Sequence, residues 1–167
     1  IRVTGTRTAT GAKENEGDEE SGGKLKAKTI NAGNIVLTNS SLDAEADVST
    51  SYVSLESAQL KVGGDFTVAY IKKMSTENDL IRVAGDMTVK GQSTYGCDMT
   101  AGAVELEGDL TFNTGSNNKT GYRPSGTCKT VFCGEKLQTI RGKTYDGTSN
   151  IGLIDIQNPL FTMDMEY

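Results

Sequence analysis

Three aspartates recur in one setting. Asp65, Asp86 and Asp109 each follow a glycine and each precede an apolar residue, a threonine and a second apolar residue. Carboxylates repeated in this way could do two kinds of chemistry. A column of them on an outer wall could hold Ca²⁺, which takes about 6–8 oxygen ligands, or could supply the carboxylate pair that cleaves a glycosidic bond. A plainer role competes with both, because an aspartate after glycine accepts backbone N–H groups in a turn. Capping outweighs calcium, so Asp65, Asp86 and Asp109 stand only as weak metal candidates.

Other reaction classes lack their residues. The chain has no histidine, which removes Ser-His-Asp and Cys-His pairs, His-ligated metals and the commonest general base. Cys128 and Cys133 have neither a CxxC spacing nor a second cysteine pair, so a structural zinc site is not expected. The glycine-rich stretches match neither a phosphate-binding loop nor a dinucleotide fingerprint. We therefore expect no catalytic residue and no cofactor. A sugar-cleaving site would also need aromatic platforms, and six Tyr with no Trp are a poor supply.

Recognition is the remaining kind of chemistry. Tyr122 and Arg123 lie in the Asn/Gly/Ser-rich loop 113–126, and Tyr145 lies in loop 141–150. Loops on a rigid scaffold often carry contacts, and Tyr and Arg are favoured anchors. Tyr122, Arg123 and Tyr145 are the binding-loop candidates.

The elements that position these residues are strands. Leu60–Val68, Ile81–Val89 and Val104–Phe112 align without gaps as apolar-x-apolar-x-Gly-Asp-apolar-Thr-apolar, stepping forward by 21 and then 23 residues. Gly33–Leu37 is a fourth, weaker copy whose upstream half does not fit, with Asn34 in the capping place. Period-two alternation denotes strand, and no segment sustains a helical period. One face takes Leu60, Val62, Phe66, Val68 and their counterparts, while the other takes Lys61, Arg82, Glu105, the aspartates and Thr67, Thr88, Thr111. The glycine at the centre marks a bend. Hairpins would need turn signals every ~8–12 residues, whereas a solenoid needs one circuit per repeat. The expected fold is all-β, a right-handed parallel β-helix of roughly 21–23-residue coils, with a β-sandwich as the alternative. Residues 1–23 read as an N-terminal strand plus an acidic solvated loop, 24–158 as the repeat domain, and 159–167 as a cap or a truncated rung.

Bulk properties narrow the partners. Hydrophobic residues make up 35% of the chain and aromatics 6%, so the core must be thin and built from small aliphatics. The net charge is -5 and the pI near 4.8, which disfavours nucleic acid and anionic lipid. Nothing approaches the roughly 20 apolar residues of a membrane span. The chain opens on Ile1-Arg2-Val3 without an initiator methionine, which suits a piece of a longer mature protein. The three cysteines, Cys97, Cys128 and Cys133, allow one disulfide. Cys128 and Cys133 would face opposite sides of a strand, so Cys97 could bridge to either, or all could be buried free thiols.

The order of motifs resembles a repeat region of large secreted or wall-associated proteins of Gram-positive bacteria. The residues that carry this are Asp79–Asp86, Thr100–Thr111, Pro124–Gly134, Gln138-Thr139-Ile140 and Leu153–Asn158. The resemblance covers most of 24–158 and implies a solenoid-like module of a multi-module surface protein with no assigned reaction. The chain departs from that pattern at Cys128, where histidine is expected, and at Cys133 and Cys97. A local cross-link is then a plausible specialisation. With the Gly134 and Gly108 corners in register, Cys97–Cys128 is favoured over Cys97–Cys133. The expected function is a non-catalytic, adhesin-type module at the bacterial cell surface. It would bind a host protein or glycan, or act as a stalk between neighbouring modules of the same polypeptide. The alternative is an extracellular carbohydrate-active β-helix with an outer-wall carboxylate site.

Overall fold

The computed structural model describes residues 1–4, 23–91, 97–113, 121–143 and 151–166. The chain opens with β1 (Arg2–Thr4), β2 (Gly23–Ala27) and β3 (Ile30–Thr38). There follow β4 (Ser40–Ala44), β5 (Val48–Glu56), β6 (Gln59–Val62), β7 (Phe66–Met74), β8 (Leu80–Val83), β9 (Met87–Val89) and β10 (Asp98–Met99). The remainder are β11 (Ala103–Leu106), β12 (Leu110–Phe112), β13 (Lys129–Phe132), β14 (Gln138–Lys143), β15 (Leu153–Ile156) and β16 (Phe161–Glu166). Every pairing between them is parallel.

Alternate strands go to alternate walls. A major sheet runs β1-β3-β5-β7-β9-β12-β14-β16 with β10 beside β7, and a minor sheet runs β15-β13-β11-β8-β6-β4-β2. This is a β-solenoid of about 6 turns with ~21-residue coils, as the repeat predicts. Because neighbouring coils pair in register, like residues stack on like at a spacing of roughly 4.8 Å. Leu42, Leu60, Ile81 and Val104 form one such column, and Phe66, Met87 and Leu110 another. All of them are fully buried. The alternation read from the sequence thus becomes a narrow dry core enclosed by two sheets.

Two details escaped the sequence pattern. In β3, β5 and β7 two successive residues face outward: Gly33-Asn34, Ser51-Tyr52 and Ala69-Tyr70. The strand turns a corner there, so the major sheet supplies two walls. Gly33-Asn34 is part of that corner and not a fourth Gly-Asp copy. The true fourth copy is Leu42–Thr50, with Ala46 in place of glycine and Asp47 as its aspartate. Its Leu42 and Ala44 pair with Leu60 and Val62, and its Val48 pairs with Phe66.

In later coils the described strands stop near that same corner. β9 stops at Val89 and the wall resumes only at β10, whose Asp98 and Met99 pair with Lys73 and Met74 of β7. In the next coil the Gly121 carbonyl accepts a hydrogen bond from Ile71 N–H at 3.0 Å. Gly121 lies against Gly91, where an added Cβ would come within 2.8 Å of the Gly91 backbone. The tail 161–166 is β16, a rung paired to β14 along its whole length.

Candidate functional site

The aspartate column is built into the frame. Asp65 N–H donates to the Asp47 carboxylate at 2.9 Å and Asp86 N–H to that of Asp65 at 2.9 Å. Asp109 N–H donates to Asp86 at 2.8 Å, and Thr139 N–H to Asp109 at 2.8 Å. At the corner between the sheets the main-chain ladder is interrupted, and each side chain supplies the acceptor that the next coil lacks. The main-chain carbonyls serve the other direction: Asp65, Asp86 and Asp109 accept from Val48, Phe66 and Met87.

This ladder explains the preceding glycine. A Cβ on Gly85 would strike the Asp65 carboxylate and stand 2.6 Å from Gly64 O, and one on Gly108 would stand 2.5 Å from the Asp86 carboxylate. Glycine is required because the carboxylate and the backbone of the preceding coil fill its side-chain space. Ala46 is tolerated because the coil before it carries Lys28-Thr29 at that level, which presents no carboxylate.

Polar side chains gather in a groove on the outward face of the minor sheet. A cavity of about 420 Å³ is lined by Arg82, Glu105, Lys129, Asp155, Gln157 and Cys133, together with Ala103 and Val131. The register creates it, because Arg82, Glu105, Val131 and Asp155 share one column. The Arg82 guanidinium lies 3.0 Å from Glu107 and 3.8 Å from Glu105. The hydrogen bond to Glu107 holds the guanidinium above its ordinary pKa. Gln157 donates to Asp155 at 3.2 Å. Burial, followed by Glu105 and Glu107, raises the Cys133 thiol, and its S–H donates to Leu106 O at 3.4 Å. The groove presents paired charges and the Gln157 amide.

The loop candidates fare differently. Tyr122 is 1% exposed, so it is no surface anchor. Its ring packs 5.7 Å from that of Phe112, and its hydroxyl meets Thr130 Oγ1 at 2.6 Å. At Gly121 the chain packs against Gly91 and Ala69 of the preceding coils, and Tyr122 follows it into the core. Burial pushes its hydroxyl pKa up. Arg123 beside it is exposed. Tyr145 lies outside the described residues.

Cys97, Cys128 and Cys133 are not joined in a disulfide, so the Cys97–Cys128 bridge is not formed. Cys128 does sit level with Gly102, as the corner register implies, since Lys129 pairs with Ala103. Cys97, however, precedes β10 on a different wall. Met99 bridges to Pro124, which places Cys97 level with Tyr122 and well upstream of Cys128. Burial pushes the thiols of Cys97 and Cys128 up to about 11.

Several buried polar groups carried no clear signal in the sequence. The Asp79 carboxylate, 1% exposed, accepts N–H bonds from Ala58, Ser75 and Thr76 at 3.1, 2.8 and 2.9 Å. Gln138 donates to Leu106 O and Gly108 O at 2.9 and 2.7 Å and accepts from Asn158 at 2.9 Å. Both close corners between coils. Among the described residues, no group of three His, Cys, Asp or Glu side chains could hold a metal ion, and no helix is long and apolar enough to cross a membrane.

Comparison with known protein families, curated proteins and solved structures finds no match to this chain.

Proposed function

We propose that this chain is a non-catalytic, rigid module of a bacterial cell-surface protein that presents its outward walls to a host protein or glycan. The observation that carries the reading is the aspartate ladder. The carboxylates repeated most regularly in the sequence accept main-chain N–H groups of the next coil, so their recurrence is explained by holding the solenoid together. A scaffold of this kind suits display or spacing, with neighbouring modules of the same polypeptide on either side. The test is a glycan array and a serum-protein pull-down run beside turnover assays on a polysaccharide panel. Saturable binding without turnover is expected, and turnover of any polysaccharide overturns the reading.

A second reading has one observation in its favour. The groove brings Glu105 and Asp155 together with Arg82 and Lys129 on an outer wall, the residue types that a carbohydrate-active β-helix would use. Under that reading Glu105→Gln and Asp155→Asn would abolish release of new reducing ends. The engagement of Glu105 and Glu107 by Arg82 favours the non-catalytic reading.

A further inference from the structure

One pair of aromatic rings stands outside the core. Tyr52 and Tyr70 occupy one column, with Asn34 before them. Both are half-buried, at the corner where β5 and β7 turn two successive residues outward. Their ring centroids lie 5.5 Å apart and the ring planes meet at 35°. The two rings form an aromatic surface on the outside of the solenoid. Asn34 bounds it with an exposed side-chain amide. At the other end the column reaches Gly91, which has no side chain and whose N–H donates to Ala69 O at 2.9 Å.

An irregularity in the sheet adds a lysine to this surface. Between buried Val53 and Leu55, β5 has one outward residue, Ser54. Between buried Ile71 and Met74, β7 has two, Lys72 and Lys73. The register shifts there, so that Ser54 pairs with Lys73 and Lys72 is the extra residue of a β-bulge. A bulge interrupts the ladder and re-aims a side chain. Here it brings the Lys72 ammonium over the Tyr52 ring, 5.1 Å from the centroid. Lys73 is engaged by Glu56 at 3.4 Å. Lys72 is exposed, and among the described residues no carboxylate pairs with it. The inserted residue has no part in the core; what it supplies is an available cation beside two aromatic rings.

One class of ligand answers all of these groups. The C–H face of a sugar packs on aromatic rings, a carboxylate carried on the sugar pairs with an ammonium, and a hydroxyl bonds to an amide. A neutral sugar leaves Lys72 unanswered, and an inorganic anion makes no use of the rings. Resting on the reading of this chain as a module that displays its walls to a ligand, we propose that the Tyr52–Tyr70 corner binds a glycan through a carboxylated sugar residue. The sugar lies on Tyr52 and Tyr70, its carboxylate pairs with Lys72, and Asn34 takes a hydroxyl.

The test measures binding of the whole chain to oligosaccharides carrying a uronic or sialic acid, and to the same oligosaccharides with the carboxyl group reduced to the alcohol. The parent chain is expected to bind the acids and to lose roughly tenfold or more in affinity for the reduced forms. Lys72→Glu should lose a similar factor for the acids, Lys72→Arg should keep their binding, and Tyr52→Ala should weaken it. Thermal unfolding shows whether Tyr52→Ala folds, and the Lys72 variants, at an exposed position, carry the test if it does not. Lys61→Glu makes the same charge change at an exposed position of the minor sheet and should bind as the parent does. Equal binding of acid and reduced forms, undiminished binding by Lys72→Glu, or an equal loss in Lys61→Glu overturns this site and leaves the display reading standing. A parent chain that binds none of these oligosaccharides also overturns it, and capture of a serum protein then keeps the display reading. Turnover of the oligosaccharides overturns the display reading itself.

Discussion

Tyr122 and Cys128 show how single residues read as surface chemistry serve the interior. The Tyr122 hydroxyl and Thr130 are each other's buried partner, and Thr130 stands in an apolar column with Ile154, Val104, Ile81, Leu60 and Leu42. Removing one partner leaves the other unsatisfied, which costs about 1–3 kcal/mol. Tyr122→Phe should lower stability by about that amount in urea unfolding, while Arg123→Ala, at an exposed position, should leave it unchanged. The cysteines titrate accordingly. Folding raises the Cys128 thiol from an ordinary 9.0 to about 11, chiefly through burial, with Asp79 adding to it. A group raised by folding contributes stability that is complete below its unfolded value and lost as pH rises through the folded one. Cys128 should therefore resist alkylation by iodoacetamide near neutral pH and react increasingly toward pH 11, as the protein also loses stability. Mass spectrometry of labelled peptides separates it from Cys133, which is half-buried and should label first.

At the scale of the element, the Gly-Asp corner is the unit that repeats. Gly85→Ala forces a methyl group into the Asp65 carboxylate and the Gly64 backbone, and overpacking of this kind costs roughly 1–3 kcal/mol. Gly33→Ala is the control, since nothing lies within 4 Å of a Cβ there, and it should be near neutral. The strands of this unit were legible because period-two alternation survives wherever a wall is flat. Three copies could be aligned because glycine recurs in each. The copy at Leu42–Thr50 was hidden by Ala46, a substitution that only the coil-to-coil contacts explain. The corner at Gly33-Asn34 imitated a Gly-Asp step, because two outward residues in succession look alike in sequence whether they turn between sheets or within one. Tyr122 was misplaced for a related reason. A polar loop sequence gives no sign that its end lies in the core, and that depends on the close packing of Gly121 against Gly91 and Ala69.

The whole molecule behaves as a stack in which each coil contacts chiefly its neighbours, the Ile71–Gly121 hydrogen bond reaching one coil further. Stability is then a sum of coil and interface contributions, and the aspartate ladder belongs to the interfaces. The groove on the minor sheet was not foreseen as a unit, because Arg82, Glu105, Lys129 and Asp155 come from four different strands and only register assembles them. Of that group, the Arg82–Glu105 neighbour pair alone was readable, from the alignment of two repeats. The central claim is that the recurring aspartates are interface bonds and not a reaction or metal centre. It is tested most directly by thermal unfolding of the parent chain and Asp86→Ala, each with calcium and with chelator. Asp86→Ala removes the acceptor for Asp109 N–H and is predicted to cost about 1 kcal/mol in both conditions, with calcium stabilising neither protein. A parent chain stabilised by calcium, with Asp86→Ala differing from it only when calcium is present, would contradict the account.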